Sequence, residues 1–587
     1  MNKKLFVVSS LSKPNDKNKE CVVLDNFIAL NNNDIKYEKL HDCPRNSKED
    51  WLRYEKEIVS RHDKYLEIIS KRLDYIHGNE NDTKYWKQLF YRGLKRYITL
   101  VYEFYNQVEN RFEPENHNFN LLKKTSFYTP HDFEDLRVYL AYSDISYEQL
   151  FTIYVEKFYF NLIDDDNQYC KHQKYVASPI VSEQSFLKKI IYFIYNNFYL
   201  LKPKIILLGV GYKTSRIYNL ILKSKFKIFV HFIKPFNSTN SEIDKTSRKY
   251  LSADEVNFDK FDKFFFKTLE TFFPTLYNED YKCSASYYDK QVERFPKVKY
   301  IISELWVSDS SMSFFIAQLK KRNNALFINS EHRCLTHIFE NSGFKETLDL
   351  CDRYFTIGWY QKSLDKNLKL VATGLLNDSV IKNKNIEKYK GKILYMAAPI
   401  YAKRTNYFHD NFFMGEDSRY AFAFQEIFFS NLRVEILQSI VYRMPPNMRK
   451  WNVATYNQLD ILNDHIKYME IDNCDYNGIE AMQSAKIIVI DYIGSGYLDA
   501  FVYNIPTIIL LCDNAYLSDE GLELFQELVG VNVVHKNALE AAKFLMTIEN
   551  DPLKWWMSEG VQKARRSFLH KAIGGERVLE NKILDLL

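Results

Sequence analysis

The sequence predicts an α/β fold made of two consecutive Rossmann-like domains, with a mainly helical insertion near the N-terminus. Three observations lead there. Short apolar runs, most of them of four or five residues, recur through two long stretches of chain and alternate with helical or loop segments, which is the rhythm of βαβ units. Between the opening runs and the first of those stretches, the apolar period lengthens to that of helices. At 587 residues the chain is also too long for one hydrophobic core, and roughly 150 residues per domain predicts three or four units.

Residues 5–8 and 21–24 read as two strands joined by the polar turn 13–20. From Glu49 to about Phe160 the spacing of Trp51, Tyr54 and Ile58, and again of Tyr97, Leu100 and Tyr105, predicts helices. After Pro203, the run 205–208 is a buried strand entering the Gly209-Val210-Gly211 turn, and 226–232 is the next strand after an intervening helix. Strands at 300–302 and 325–328 flank a helix at 311–322. The rhythm resumes at 392–396, 451–454, 487–490 and 507–511, and the chain closes on helices at 551–568 and up to Leu587. The expected domains are 1–45 with 200–385, the helical insertion and linker 46–199, a second Rossmann-like domain 386–550, and C-terminal helices 551–587 packed at the junction. Two such sheets followed by a C-terminal helix have the GT-B arrangement, in which ligand binds in a cleft at the carboxyl ends of the strands.

Composition excludes several classes of function. With 46% hydrophobic and 26% charged residues, the chain is that of a folded globular protein. Its 16% aromatic content fits an AT-rich coding bias better than a binding surface. Lys and Arg number 80 against 75 acids, a formal charge of +5, and the basic residues are interspersed, so no nucleic-acid footprint is present. The segment 562–566 (QKARR) reads as a solvated helix face and allows at most peripheral contact with anionic lipid. The N-terminal apolar run is too short for a secretory signal, and no stretch approaches about 18 apolar residues, which predicts a cytoplasmic protein, peripheral at most at the inner face of the membrane. Eight cysteines without a CxxC pair argue against a zinc site or a disulfide framework.

Chemistry concentrates at strand ends. Asp491-Tyr-Ile-Gly494-Ser495-Gly496-Tyr-Leu-Asp499 follows the strand 487–490, and its glycines let backbone N–H groups reach an anion at the start of a helix, with Asp499 placed to accept from ribose or sugar hydroxyls. The same glycines would also serve a plain strand-to-helix turn. Lys403 and Arg404, beyond the strand 392–396, are candidate cations for a departing nucleotide phosphate, and Arg443, before Pro445-Pro446, is a third in an expected loop. Ser330-Glu331-His332-Arg333 places a carboxylate beside an imidazole at a strand end, a candidate general base for an acceptor hydroxyl, with Asp309 as an alternative. Gly209-Val210-Gly211 lacks the third glycine of a dinucleotide fingerprint and reads as a simple βα turn. Asp164-Asp165-Asp166 comes near a metal-binding DxD but lies in a polar linker, so no metal is expected.

At these residues the chain resembles a family of transferases encoded in bacterial O-antigen and surface-polysaccharide loci. The C-terminal region of that family is similar to CDP-glycerol glycerophosphotransferases and UDP-N-acetylglucosamine epimerases. The resemblance runs over nearly the whole chain. It is carried by His77, Tyr85-Trp86 and Leu94-Lys-Arg-Tyr-Ile in the helical part, and by Gly494-Ser495-Gly496-Tyr-Leu-Asp499, Asn504-Ile-Pro506-Thr507 and Asp551-Pro-Leu-Lys-Trp555-Trp556 near the C-terminus. Ser330-Glu331-His332-Arg333 stands where the family has Gln-His-Gly-Gly, and Asp499 where it has Glu. The resemblance implies a metal-independent glycosyltransferase-like enzyme without a cofactor. Its donor would be a nucleotide-sugar or nucleotide-polyol held by the C-terminal domain, and its acceptor a carbohydrate or lipid-linked molecule at the N-terminal one. A nucleotide-sugar epimerase and an inactive scaffold of a polysaccharide-assembly complex remain open alternatives.

Overall fold

The computed structural model describes residues 3–12, 20–24, 48–124, 127–163, 202–212, 214–237, 242–304, 309–331, 335, 338, 344–359, 370–373, 386–397, 418–444, 462–511, 517–573 and 579–587. The expected strand 451–454, His332, Arg333, Lys403, Arg404 and the Asp164-Asp165-Asp166 run lie outside these residues. The chain divides into two compact units, one of Met1–Leu208, Val230–Ile301 and Leu305–Ala325, the other of Gly209–Phe229, Ile302–Glu304 and Leu326–Leu587.

In the first unit, the helical periodicity corresponds to α1 (Lys48–His77), α2 (Thr83–Arg111), α3 (Phe133–Tyr142) and α4 (Asp144–Phe158). Asp82 starts α2 by accepting the Tyr85 N–H at 2.9 Å, and Asp132 starts α3 by accepting that of Asp135 at 2.8 Å, each satisfying a donor the helix leaves unpaired. One expectation is corrected here. Strands β1 (Lys4–Val7) and β2 (Cys21–Val23) do not enter the first six-stranded sheet. They form a parallel three-stranded sheet of their own with β3 (His117–Phe119), in the order β2-β1-β3. A four-residue apolar run specifies burial but not a pairing partner, and the partner here comes from the segment between α2 and α3. Phe6 of β1 then packs on Phe112 and Phe151, with ring centroids 5.1 and 5.5 Å away.

The first six-stranded sheet has the order β5-β4-β6-β7-β8-β9, from β4 (Ile205–Leu208), β5 (Ile228–Val230), β6 (Tyr300–Ser303), β7 (Leu326–Ser330), β8 (Arg353–Thr356) and β9 (Leu370–Ala372). Its helices include α5 (Thr214–Lys223), α6 (Lys260–Phe272), α7 (Tyr281–Val292) and α8 (Ser310–Asn323). The His77, Tyr85 and Trp86 motif is a packing device within the first unit. His77 stacks on Tyr281 of α7 at 4.4 Å, Trp86 donates to Asp74 at 2.9 Å, and the Tyr85 hydroxyl accepts from Gln318 of α8 at 3.0 Å.

The second six-stranded sheet has the order β12-β11-β10-β13-β14-β15 and is parallel throughout. Its strands are β10 (Ile393–Met396), β11 (Ile440–Arg443), β12 (Glu470–Ile471), β13 (Ile487–Ile490), β14 (Thr507–Leu510) and β15 (Val534–His535). Every residue of β13 and β14 is buried, as a strand covered on both faces requires. Helix α9 (Ser495–Val502) follows β13, and the chain ends with α10 (Asp519–Gly530), α11 (Ala538–Ile548), α12 (Pro552–Trp556), α13 (Glu559–Ile573) and α14 (Leu579–Leu584). Trp556 is fully buried and donates to the Asn504 carbonyl at 3.1 Å, while Phe568 and Ala572 join Tyr497, Phe501 and Phe525 in one core. Beyond it, the Ala572 carbonyl accepts from the Trp359 N–H at 3.1 Å, and Glu580 of α14 accepts from Asn219 and Lys223 of α5 at 2.7 Å each. Among the described residues, no helix is long and apolar enough to cross a membrane.

Candidate functional site

Each large sheet reverses its strand order at one place. The chain moves from β4 outward to β5, then returns to the other side of β4 with β6; likewise it moves from β10 through β11 and β12, then returns beside β10 with β13. In an open parallel sheet, the crevice outside the carboxyl ends at such a reversal is where ligands sit. Two turns meet that condition: the 491–496 turn after β13 and the 209–212 turn after β4.

At the second sheet, Gly494 is the residue before α9, with extended backbone (φ −121°, ψ −160°) and, as a glycine, no side chain of its own to cap the helix. The first-turn N–H groups of α9 therefore meet no capping side chain from that residue, and the helix start carries partial positive charge. Ser495 is exposed, Gly496 is buried, and Asp499 is half-buried one turn further on. A β-carbon on Gly494 would stand 2.4 Å from Cε2 of Tyr492, whereas one on Gly496 would meet, among the described residues, Met396 alone, with Cε at 3.4 Å and Sδ at 4.0 Å. Asp491 is buried and turned inward. Its carboxylate accepts from the Tyr395 hydroxyl at 2.9 Å and from Gln425 Nε2, tying the end of β13 to β10 and to the helix Ser418–Ser430. Burial, then the Asp491 charge, push the Tyr492 phenol up to about 12, with Arg443 pulling the other way.

Arg443 is not in a loop. It is the last residue of β11, buried, and its guanidinium donates to Asp472 and, at 2.8 Å, to the Tyr476 carbonyl. Asp472 also accepts from Lys388 at 3.0 Å and from the Cys474 N–H at 3.0 Å. Burial raises the Asp472 carboxyl, but those hydrogen bonds and the Arg443 charge outweigh it and hold the group below the usual carboxylate range. The Arg443 charge is thus balanced inside the fold, which places it among the supports of the strand end.

At the first sheet, Gly209 has φ +52°, a left-handed conformation that favours glycine, and it turns the chain sharply after β4. The Gly211 N–H donates to Glu304 Oε2, just past β6, at 2.7 Å. The buried Tyr212 hydroxyl donates to Ser330 Oγ, at the end of β7, at 3.0 Å. Burial, then the Glu304 charge, hold the Tyr212 phenol above its ordinary value, so it stays a neutral donor. Glu331 is buried and its Oε2 accepts the Ile357 N–H at 3.0 Å, fixing the end of β8. Asp309 lies in the first unit, where it starts α8 by accepting the Met312 N–H at 3.0 Å; burial raises its carboxyl. Capping accounts for Asp309, because an aspartate at a strand-to-helix boundary serves a helix start as readily as a reaction. Glu304 and Tyr212, unnoticed in the sequence, come together here. The only signal was a carboxylate directly after Ser303, the last residue of β6.

A family model described as LIC12162 family transferase matches residues 4–580. Comparison with curated proteins finds no match. Among solved structures, the glycotransferase of kitacinnamycin is 9% identical and aligns over 66% of this chain and 100% of its own, with a TM-score of 0.34. MurG of Acinetobacter baumannii is 9% identical over 65% and 99%, with a TM-score of 0.31. Alr3699/HepE of Anabaena, in complex with UDP and glucose, is 10% identical over 65% and 99%, with a TM-score of 0.35.

Proposed function

Since the chain belongs to the LIC12162 family of transferases, we propose that it transfers a sugar or polyol phosphate from a nucleotide-activated donor to a hydroxyl of a surface-polysaccharide or related lipid-linked acceptor. The reaction belongs at the cytoplasmic side of the membrane, with at most peripheral contact. The observation that carries this reading is the start of α9. It is a helix N-terminus whose cap residue is a glycine, with no side chain of its own to cap it, placed where the second sheet reverses its strand order and with a second glycine in the first turn.

Donor phosphate sits against the backbone N–H groups after Gly494, with Ser495 and Asp499 reaching the sugar or ribose and with Lys403 and Arg404 supplying positive charge. For a glycosyl donor, the acceptor oxygen bonds to the anomeric carbon as the bond from that carbon to the phosphate oxygen breaks. The electron pair leaves with the nucleotide, and the acceptor proton passes to His332. Glu331 acts through position, since its carboxylate already accepts from Ile357. Asp491 and Arg443 likewise support the donor side without touching ligand, through Tyr395, Gln425 and Asp472.

A thermal-shift screen against CMP, CDP, UDP, GDP and their sugars tests the donor class. A ligand that binds only the folded state at a hundred times its Kd stabilises by about 2.7 kcal/mol, a readily measured rise in Tm. No shift with any of them overturns the reading and favours a scaffold. Turnover of the bound donor without an acceptor, giving an isomeric sugar, converts it to an epimerase.

A further inference from the structure

Helix α5 closes on a strained turn. The Phe226 N–H donates to the Ile221 carbonyl at 2.9 Å and the Lys225 N–H to that of Leu222 at 3.0 Å, the pair of bonds that caps a helix whose chain then turns left-handed. Glycine usually fills that conformation, because a β-carbon is crowded there. Here Lys225 and Phe226 both adopt it, at φ +51° and +62°. Strain held at two successive residues points to a use for their side chains, and both are exposed. Phe226 is 43% exposed, and Tyr218 and Leu222, one turn apart on α5, are 49% and 63% exposed, whereas Leu220 is buried. The helix thus buries one side and leaves large apolar groups in water on another. Residues 214–227 also contain four cations and no acid. Glu580 of α14 faces two of them, 2.7 Å from Lys223 and 3.6 Å from Arg216. Among the described residues, no carboxylate pairs with the exposed Lys225 or Lys227. Exposed rings and aliphatic groups bordered by lysines match the boundary of an anionic bilayer, where apolar groups enter the acyl region and ammonium groups meet lipid phosphates. The basic segment 562–566 offers less, since Gln562 and Ala564 are buried and Arg565 donates to the Phe501 carbonyl.

We propose that the exposed side of α5 and its closing turn, with Tyr218, Leu222, Lys225, Phe226 and Lys227, dock this protein on a bilayer surface that contains anionic lipid. This rests on the transferase reading above, in which the acceptor is lipid-linked, and adds the surface that holds the chain at the membrane. Lys225→Gly separates the role of the side chain from that of the fold, because it removes a cation and relieves the backbone together.

Co-sedimentation of the full chain with vesicles of phosphatidylcholine alone, and of phosphatidylcholine and phosphatidylglycerol in equal parts, tests the surface. Thermal melts and calorimetry with CMP, CDP, UDP and GDP follow the fold and the donor side on the same samples. Wild-type protein should bind the mixed vesicles, lose affinity as salt rises, and bind phosphatidylcholine alone roughly tenfold less tightly. Lys225→Gly should melt close to wild type yet bind the mixed vesicles about fivefold more weakly. Leu222→Ser, at an exposed position, should weaken vesicle binding about tenfold with Tm unchanged. The surface is overturned if wild type stays in solution with the mixed vesicles, if it binds phosphatidylcholine alone as tightly, or if either variant binds as wild type does. It is also overturned if the chain is a dimer that Leu222→Ser dissociates, since α5 is then an interface between copies. Vesicle binding weakened in both variants of a chain that binds no nucleotide would support the surface and refute the donor reading. Nucleotide binding without vesicle binding would refute the surface alone.

Discussion

At Gly494 the missing side chain has a cause independent of any ligand: the Tyr492 ring lies 2.4 Å from where a β-carbon would be. Gly494→Ala must therefore displace a largely buried ring, and it should lower stability by about 1–3 kcal/mol in urea titrations. Among the described residues, Gly496→Ala meets the flexible end of Met396 alone, at 3.4 Å, and it gains helix propensity, so its stability should stay within about 1 kcal/mol of wild type. Gly496→Val is then the cleaner probe of the phosphate site, and a folded Gly496→Val protein with undiminished nucleotide affinity would remove that site from the 491–496 turn. The pair Arg443 and Asp472 makes a second residue-level test. Removing Asp472 leaves a buried guanidinium without its carboxylate, so Asp472→Ala should cost about 3–5 kcal/mol, measured by denaturant midpoint. A loss below 1 kcal/mol would mean the Arg443 charge is balanced elsewhere.

Among the elements, β13 and β14 were legible because a parallel strand buried on both faces reads as an unbroken aliphatic run. β11 was not, since its four residues follow directly on the short helix Val434–Gln438 and end in arginine, a residue that strand patterns do not anticipate at a buried position. The closing helices illustrate what an aromatic pair predicts. Trp555 and Trp556 promised large apolar burial, and Trp556 is fully buried with its indole N–H on Asn504, whose backbone takes φ +56°. Trp556→Ala should cost about 3–5 kcal/mol. Truncation after Asn550 also removes Phe568, Ala572 and the Glu580 contacts to α5, and should leave a chain that melts far lower or does not stay soluble. An unchanged Tm in the truncated protein would show that these helices contribute nothing to the core.

For the whole molecule, acid sensitivity has an identifiable source in the first unit. His231, directly after β5, is 8% exposed, packs against Phe295 and Phe315 at 4.8 and 4.9 Å, and has neither ring nitrogen hydrogen-bonded among the described residues. Burial, with help from the Arg294 charge, pushes its pKa down to about 3. In the unfolded chain the same ring titrates near 6.5. Above that pH neither state binds the proton and stability is complete. Below it only the unfolded chain binds one, so stability falls by about 1.4 kcal/mol per pH unit as pH drops toward 3. Between pH 6.5 and 5 this amounts to about 2 kcal/mol, and His231→Phe should flatten the curve of unfolding free energy against pH by that amount. Parallel curves for the two proteins would show that His231 is protonated without penalty.

Spacing along the chain suffices for the α/β class, the helical segment between the first strands and β4, and the glycine turn between β13 and α9, because burial periodicity and turn chemistry are local properties. Partnership is not local. Whether β1 joins the first large sheet or pairs with β3, whether Asp491 faces a ligand or Tyr395 and Gln425, and whether Glu331 acts as a base or holds Ile357 all depend on which distant groups packing brings within about 3 Å. A charged residue at a strand end reads the same in sequence whether it serves the fold or a ligand. Only the groups that desolvate it, and the donors or acceptors that meet it there, separate the two.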